Sequence, residues 1–272
     1  MLGMAAITCR PENFAQTATL DTIEKQYQAC LDEGTNMLDC SKTFYQQVDS
    51  LLNIQYKKLR TSCDSIQREY LKDEQADWQQ QRENYFGRTL AEFKKENPRE
   101  SPFSTVSGNR DDAMFMFDKN AEFVKARLIV LINSKPENYS PAKYSVNPTG
   151  YYLLNNKRRK GKQPGYTGDI KVKTLGNNKV VVRLFVSKGA PSYNSGTLAD
   201  TLSINNNQAI YKNPELDKSC RIVLNFFRQG IRVTEFTDDF SFGCGFGHGV
   251  NASGFFRRQS YEVPTSEDLQ DD

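Results

Sequence analysis

The sequence predicts an α+β protein: an N-terminal antiparallel helical hairpin or bundle followed by a small antiparallel β-barrel or sandwich. Three observations carry this. From Thr17 to about Pro98 apolar residues recur at three and four positions, the period of a helix with one buried face. From Gly150 the period changes to alternation, as in half-buried strands. The alternating segments follow one another roughly every 8 to 12 residues with no helix between them, so neighbours pair antiparallel.

The first helical segment reaches Cys30 and stops at Gly34, and two long helices follow. Between them, Asp64-Ser65-Ile66-Gln67 reads as a capping box: the Asp carboxylate accepts the free amide three residues on, and the Gln side chain reaches back. In the first long helix Asp49, Asn53 and Tyr56 share one face; in the second Gln75, Trp78 and Arg82 share another. The expected arrangement is a hairpin lock. Trp78 fills the interface, Asn53 and Gln75 satisfy each other or backbone groups, and Arg82 pairs with a carboxylate. A ligand surface built from the same residues is the less favoured reading, because a two-helix unit needs large anchors.

Pro98, Pro102 and Gly108 mark a loop; Asp111-Asp112 then caps a helix running to about Asn133 and ended by Ser134-Lys135-Pro136. This helix is expected to bridge the two halves. Its apolar stretch at 123–132 is interrupted by Lys125 and Arg127 and is far shorter than the about 20 apolar residues a membrane span requires, so no transmembrane segment is expected.

In the second half, residues 169–175 and 179–186 form a strand pair around a Gly176-Asn177-Asn178 turn, where Asn tolerates the left-handed conformation. Further strands are expected at 197–204, 209–211, 220–227, 231–236 and 253–261. The organisation is a signal-like or disordered terminus (1–20), a helical domain (21–97), a loop and bridging helix (98–149), an all-β domain (150–263) and an acidic tail expected to be disordered (264–272).

Six cysteines, Cys9, Cys30, Cys40, Cys63, Cys220 and Cys244, occur without a C-x2-C pair and beside one histidine. Tetrahedral metal ligation therefore has no framework, and neither a metal nor another cofactor is expected. Long spacings and an even count favour disulfides and an oxidising compartment. Cys220 is expected to bond Cys244. Cys40 and Cys63 sit near opposite ends of one predicted helix, roughly 34 Å apart, and cannot bond. The remaining partitions are Cys9 with Cys40 and Cys30 with Cys63, or Cys9 with Cys63 and Cys30 with Cys40.

No catalytic constellation is evident. The glycine-rich string at 243–249 precedes strand residues instead of a helix whose N-terminus could hold a phosphate, so it reads as a barrel corner. His248 within it lacks the partners of a nucleophilic site. Asp73-Glu74 and Asp238-Asp239 are adjacent in sequence and point in different directions.

Lys157, Arg158, Arg159, Lys160 and Lys162 form a basic run that reads as a solvated loop or a polyanion-binding site; with no aromatic residue interleaved, nucleic acid is not an expected partner. Residues 151–264 carry seventeen basic and eight acidic side chains, whereas residues 21–96 carry eleven and fourteen.

The spacings Asp49-x2-Leu52-Asn53-x2-Tyr56 and Leu71-x3-Gln75-x2-Trp78-x3-Arg82 resemble the N-terminal domain of the LprI family of lysozyme inhibitors, cysteine-bearing helical domains of the bacterial envelope, over roughly residues 32–88. That family often has a cysteine about four residues after the Arg. Phe86 stands there in this chain, so the family's cysteine pairing does not carry over. The resemblance implies a non-enzymatic, periplasmic or otherwise extracytoplasmic protein whose partner is a lysozyme or another peptidoglycan hydrolase. Lysozymes are typically cationic, so the acidic helical domain and tail are the surfaces expected to meet one. The alternative is an envelope adaptor whose basic β domain binds a cell-surface polyanion.

Overall fold

A computed structural model describes residues 19–104, 110–154 and 165–270. Four helices, α1 (Leu20–Asp32), α2 (Met37–Ser62), α3 (Ser65–Glu96) and α4 (Arg110–Asn133), precede eight strands. The strands are β1 (Gly150–Leu154), β2 (Thr167–Gly176), β3 (Lys179–Ser187), β4 (Ser195–Asn205), β5 (Gln208–Tyr211), β6 (Arg221–Phe227), β7 (Gly230–Phe236) and β8 (Gly254–Ser260). They form a closed antiparallel barrel in chain order, with β8 returning to pair with β1.

The chain divides into two compact units: the described residues up to Leu59 with Gln80–Ser134, and Arg60–Gln79 with Lys135 onward. The tip of the α2–α3 hairpin thus belongs with the barrel. Helix α4, expected as a bridge, lies wholly within the helical unit. Its apolar residues explain this: Ala113, Met116 and Phe117 cluster with Leu38 of α2 and Phe93 of α3.

Helix α1 starts at Thr19, whose side chain accepts the Thr22 amide, and ends before Gly34 at φ 67°. The left-handed Gly34 and Asn36 turn the chain back and bring Cys30 and Cys40 together in a disulfide, Cα to Cα 5.9 Å. Of the two partitions left open by the sequence, this pairing is compatible only with the one that joins Cys9 to Cys63. Cys63 is buried, and Cys9 lies outside the described residues. The capping box at the start of α3 is complete: Asp64 Oδ1 accepts the Ile66 and Gln67 amides at 2.8 Å, and the Asp64 amide donates to Gln67 Oε1 at 2.9 Å. Asp111 and Asp112 occupy the first turn of α4 instead of its cap, where their charge suits the positive end of the helix dipole.

Alternation drives the barrel. In β3 every second residue, Val180, Val182, Leu184 and Val186, is fully buried, and Ile170 and Val172 of β2 face them. Tyr152, Phe226 and Phe256 complete a packed interior. Two hairpins use the same device: Asn177-Asn178 and Asn206-Asn207 all have φ between 48° and 57°. Asn207 is also a structural hub, its Nδ2 donating to the Pro141 and Tyr144 carbonyls and its Oδ1 accepting the Val146 amide. β1 was not among the expected strands, and it is the strand that closes the barrel.

On the barrel side, the hairpin tip is fixed by directed contacts. Tyr70 donates to the Phe226 carbonyl and stacks on Tyr144 at 4.7 Å. Asp73 Oδ2 accepts the Arg228 amide at 2.7 Å, and Arg232 donates to Glu69 at 2.6 Å.

The acidic tail, expected to be disordered, departs from that expectation through residue 270. Pro264 is buried, and Asp268 accepts from Lys171 at 2.8 Å and from Tyr151 at 3.0 Å. The positive outer face of β2 gives the acidic segment a specific partner.

Candidate functional site

The helical unit carries the candidate site, and its frame is built on Arg82. Nη1 of Arg82 lies 2.8 Å from Asp49 Oδ1, an ionic contact without hydrogen-bond alignment at that oxygen. Nη2 donates to the Tyr45 hydroxyl at 2.7 Å. One helical turn on, Phe86 lies under the guanidinium at 5.0 Å and meets the Tyr45 ring edge-on. Phe86 therefore supports the Arg82 guanidinium from below.

The other motif residues are distributed differently. Leu52, Gln75 and Trp78 are buried, whereas Tyr56 is half-buried. Asn53 is exposed and donates to the Asp49 carbonyl of its own helix at 2.9 Å, so its partner is a backbone group. The motif thus places one charged pair, Asp49 and Arg82, at the contact of α2 with α3.

An open cleft lies farther along α3, against α4. It has a volume of about 690 Å³, with Tyr85, Phe93, Phe115, Met116 and Phe123 supplying aromatic and apolar walls. Among the described residues its edge carries Glu92, Glu96, Asp112, Asp118 and Glu122 against one cation, Lys119. Behind the groove, Thr89 of α3 donates to Asn120 of α4 at 2.9 Å, a buried polar clasp that sets the distance between the helices.

Two of these carboxylates have internal roles: Asp118 accepts the Tyr27 hydroxyl at 2.7 Å, and Asp112 accepts the Asn97 amide at 2.9 Å. Burial pushes the Tyr27 hydroxyl up to about 12, with the Asp118 charge adding to the effect, so it stays a donor. Glu92 bonds Lys119 across the groove at 2.8 Å, which lowers the Glu92 pKa and raises that of Lys119. Glu122 pairs with Lys125 at 2.6 Å. Among the described residues the rim of the groove is therefore mainly acidic, with Lys119 as its one lysine and that lysine bonded to Glu92.

The sequence did not single these residues out, although a signal exists. Tyr85, Glu92 and Glu96 of α3 and Phe115, Lys119 and Glu122 of α4 recur at three, four or seven residues.

On the barrel, Cys220 and Cys244 are bonded. Asp217 organises the loops around them, accepting from the Ser219 amide and hydroxyl, the Thr237 hydroxyl and the Cys244 amide. Those donors hold its carboxyl well below the usual carboxylate range. The glycine-rich string forms a turn after β7 in which Cys244, Gly245 and Gly249 all have positive φ, and a Cβ on Gly247 would lie 2.9 Å from the Ser195 carbonyl. The His248 ring meets Phe242 edge-on at 5.3 Å. Among the described residues, no group of three or more His, Cys, Asp or Glu is placed to hold a metal ion, and no helix is long and apolar enough to cross a membrane. Lys157, Arg158, Arg159, Lys160 and Lys162 lie outside the described residues.

Neither the curated proteins nor the solved structures contain a match to this chain. One family model does match, over a segment that starts within α1, takes in the whole α2–α3 hairpin and ends at the start of α4. Residues 27–111 match the family described as lysozyme inhibitor LprI.

Proposed function

We propose that this chain is a non-enzymatic, exported bacterial envelope protein that binds a lysozyme or another peptidoglycan-cleaving enzyme and blocks its glycan cleft. The observation that carries this reading is the family match over residues 27–111, the segment that forms most of the helical bundle. Two further features support it. Two disulfides suit an extracytoplasmic compartment. The helical unit presents a groove rimmed by acid, complementary to a cationic enzyme.

The test is direct. The oxidised protein is incubated with a panel of lysozymes and wall amidases, and cell-wall lysis is followed. Loss of lysis near a one-to-one ratio is the expected result; undiminished lysis by every enzyme would refute the reading.

The excess of basic residues between 151 and 264 favours a second reading, an adaptor that holds a cell-surface polyanion through its β domain. Under that reading the protein is retained on lipopolysaccharide or a heparin-like column at moderate salt and leaves the enzymes unaffected. Replacing Lys157, Arg158, Arg159 and Lys160 by Ser then weakens retention.

A further inference from the structure

Docking by the helical unit requires a surface, and the hairpin motif does not supply one: Arg82 and Asp49 face each other, and Leu52, Gln75 and Trp78 are buried. The α3–α4 groove, about 690 Å³, offers one, and it is larger than the recess of about 290 Å³ beside Cys30 and Cys40 on the same unit. Phe115 on its edge is 56% exposed and extends the apolar wall of the groove towards solvent. The same face of α4 continues at spacings of three and four through Lys119, Glu122 and Ala126 to Ile129 and Val130, which are 42% and 48% exposed. From Phe115 to Ile129 that strip runs roughly 21 Å, enough to seat about four turns of a guest helix.

Charge decides the chemistry of the guest. Among the described residues five carboxylates and one lysine line the groove; Asp112 and Asp118 hold Asn97 and Tyr27, which leaves Glu92, Glu96 and Glu122 at the rim, Glu122 shared with Lys125. Glu96 has no ion-pair partner among the described residues. The Glu92–Lys119 pair spans the groove with both side chains more than half exposed, so it is weak and exchangeable. An incoming ammonium or guanidinium group can replace Lys119 at Glu92 while apolar side chains cover Phe115 and Phe123.

We infer that the α3–α4 groove is the docking site for a basic amphipathic segment of a protein partner, whose apolar side chains seat on Phe115 and Phe123 and whose Lys or Arg side chains pair with Glu92, Glu96 and Glu122. It rests on the function proposed above only in taking that partner to be the inhibited hydrolase. Recognition is by helix in groove, with the aromatic wall supplying affinity and the carboxylate rim supplying orientation and association rate. Lys119 is a built-in competitor: it holds the empty groove neutral at Glu92 and is displaced on binding.

The experiment compares the full oxidised chain with three variants: the triple substitution Glu92→Gln, Glu96→Gln, Glu122→Gln; Phe115→Ser; and Lys119→Gln. All the replaced side chains are exposed, and thermal melting checks that each variant folds. Inhibition is measured against whichever panel enzyme the parent inhibits, and binding is measured calorimetrically with a Leu-Lys amphipathic helical peptide. The triple variant and Phe115→Ser are each expected to weaken both by about tenfold or more at about 0.05 M salt, the loss from the triple variant shrinking at about 0.5 M. Lys119→Gln is expected to tighten both about threefold, a gain that a purely structural role for these residues would not give.

If the parent inhibits an enzyme and all three variants inhibit it equally well, the groove is not the docking site, while the inhibitor function stands. If the parent inhibits no enzyme but binds the peptide with the predicted ranking of variants, the inhibitor function fails and the groove stands. If the parent binds neither enzyme nor peptide, both fail.

Discussion

Arg82 and Asp49 approach to 2.8 Å across the α2–α3 contact, and Arg82 alone joins three α2 and α3 side chains: Asp49, Tyr45 and Phe86. Both charged side chains are about three-quarters shielded from solvent, which raises the strength of the contact above that of a surface pair and makes the loss of either partner costly.

Arg82→Ala is expected to destabilise the helical unit by about 2 kcal/mol, because it leaves the Asp49 carboxylate and the Tyr45 hydroxyl without their partner. A double-mutant cycle with Asp49→Ala in urea isolates the pair. A coupling of about 1 kcal/mol is expected; additive effects would show that the contact is incidental.

Trp78→Ala should cost about 3 to 5 kcal/mol, since the side chain is only 8% exposed. Phe115→Ser, at an exposed site, should change stability by less than about 1 kcal/mol. A Trp78 variant that melts like the parent and instead loses a partner would make the tryptophan a recognition residue.

Asp73 provides a pH signature. Burial raises its pKa to about 6, partly offset by the Arg228 and Gln229 backbone amides that the carboxylate accepts. The folded state therefore holds a proton that the unfolded state, with a pKa near 3.8, has released. The stability contributed by that proton is present below about pH 4 and is lost as pH rises through about 6. Asp73→Asn keeps an oxygen for the Arg228 amide without the cost of a buried charge. It should make the protein more stable than the parent at pH 7, and the advantage should vanish near pH 4. Denaturant unfolding at the two pH values checks this; an equal shift at both would assign the effect to packing.

Reducing the Cys220–Cys244 bond opens a 24-residue loop and should cost the barrel about 3 kcal/mol on the loop-entropy model. Peptide mapping without reductant should recover Cys220 with Cys244 and Cys30 with Cys40. A Cys40–Cys63 peptide would require α2 to be broken.

The fold class was legible because period is a local property: Asp169-Ile170-Lys171-Val172-Lys173 alternates in the sequence as it does in the barrel, and Asp64 and Gln67 announce the start of α3 by their chemistry alone. β1 was not legible in the same way. Tyr151-Tyr152-Leu153-Leu154 is continuously apolar or aromatic, and its pairing with β2 and β8 fixes it as a strand. The tail misled because composition reports solvation in general, whereas Asp268 answers to one lysine, Lys171, nearly a hundred residues away. The groove escaped for a related reason. Each of its walls is an ordinary helix face, and Glu92 becomes a neighbour of Lys119 only once α3 and α4 are side by side. The Arg82 pair was legible because an antiparallel hairpin sets Arg82 facing Asp49, whereas the Tyr45 and Phe86 contacts of the same guanidinium were not read from the sequence.

The division of the hairpin between two units has a practical corollary. Residues 27–111 look like a module that could be excised, but the family boundary is not a boundary of the folded protein. A fragment cut there would carry α2 and α3 whole and take the strands away from their shared tip. The Tyr70 ring would lose Tyr144 and Phe227, and Asp73 and Glu69 would lose Arg228 and Arg232. Such a fragment would present a freshly bared aromatic and acidic end, sticky towards other copies and towards basic proteins alike. Inhibition measured with it would mix that artefact with any genuine activity, so the intact chain is the species to assay.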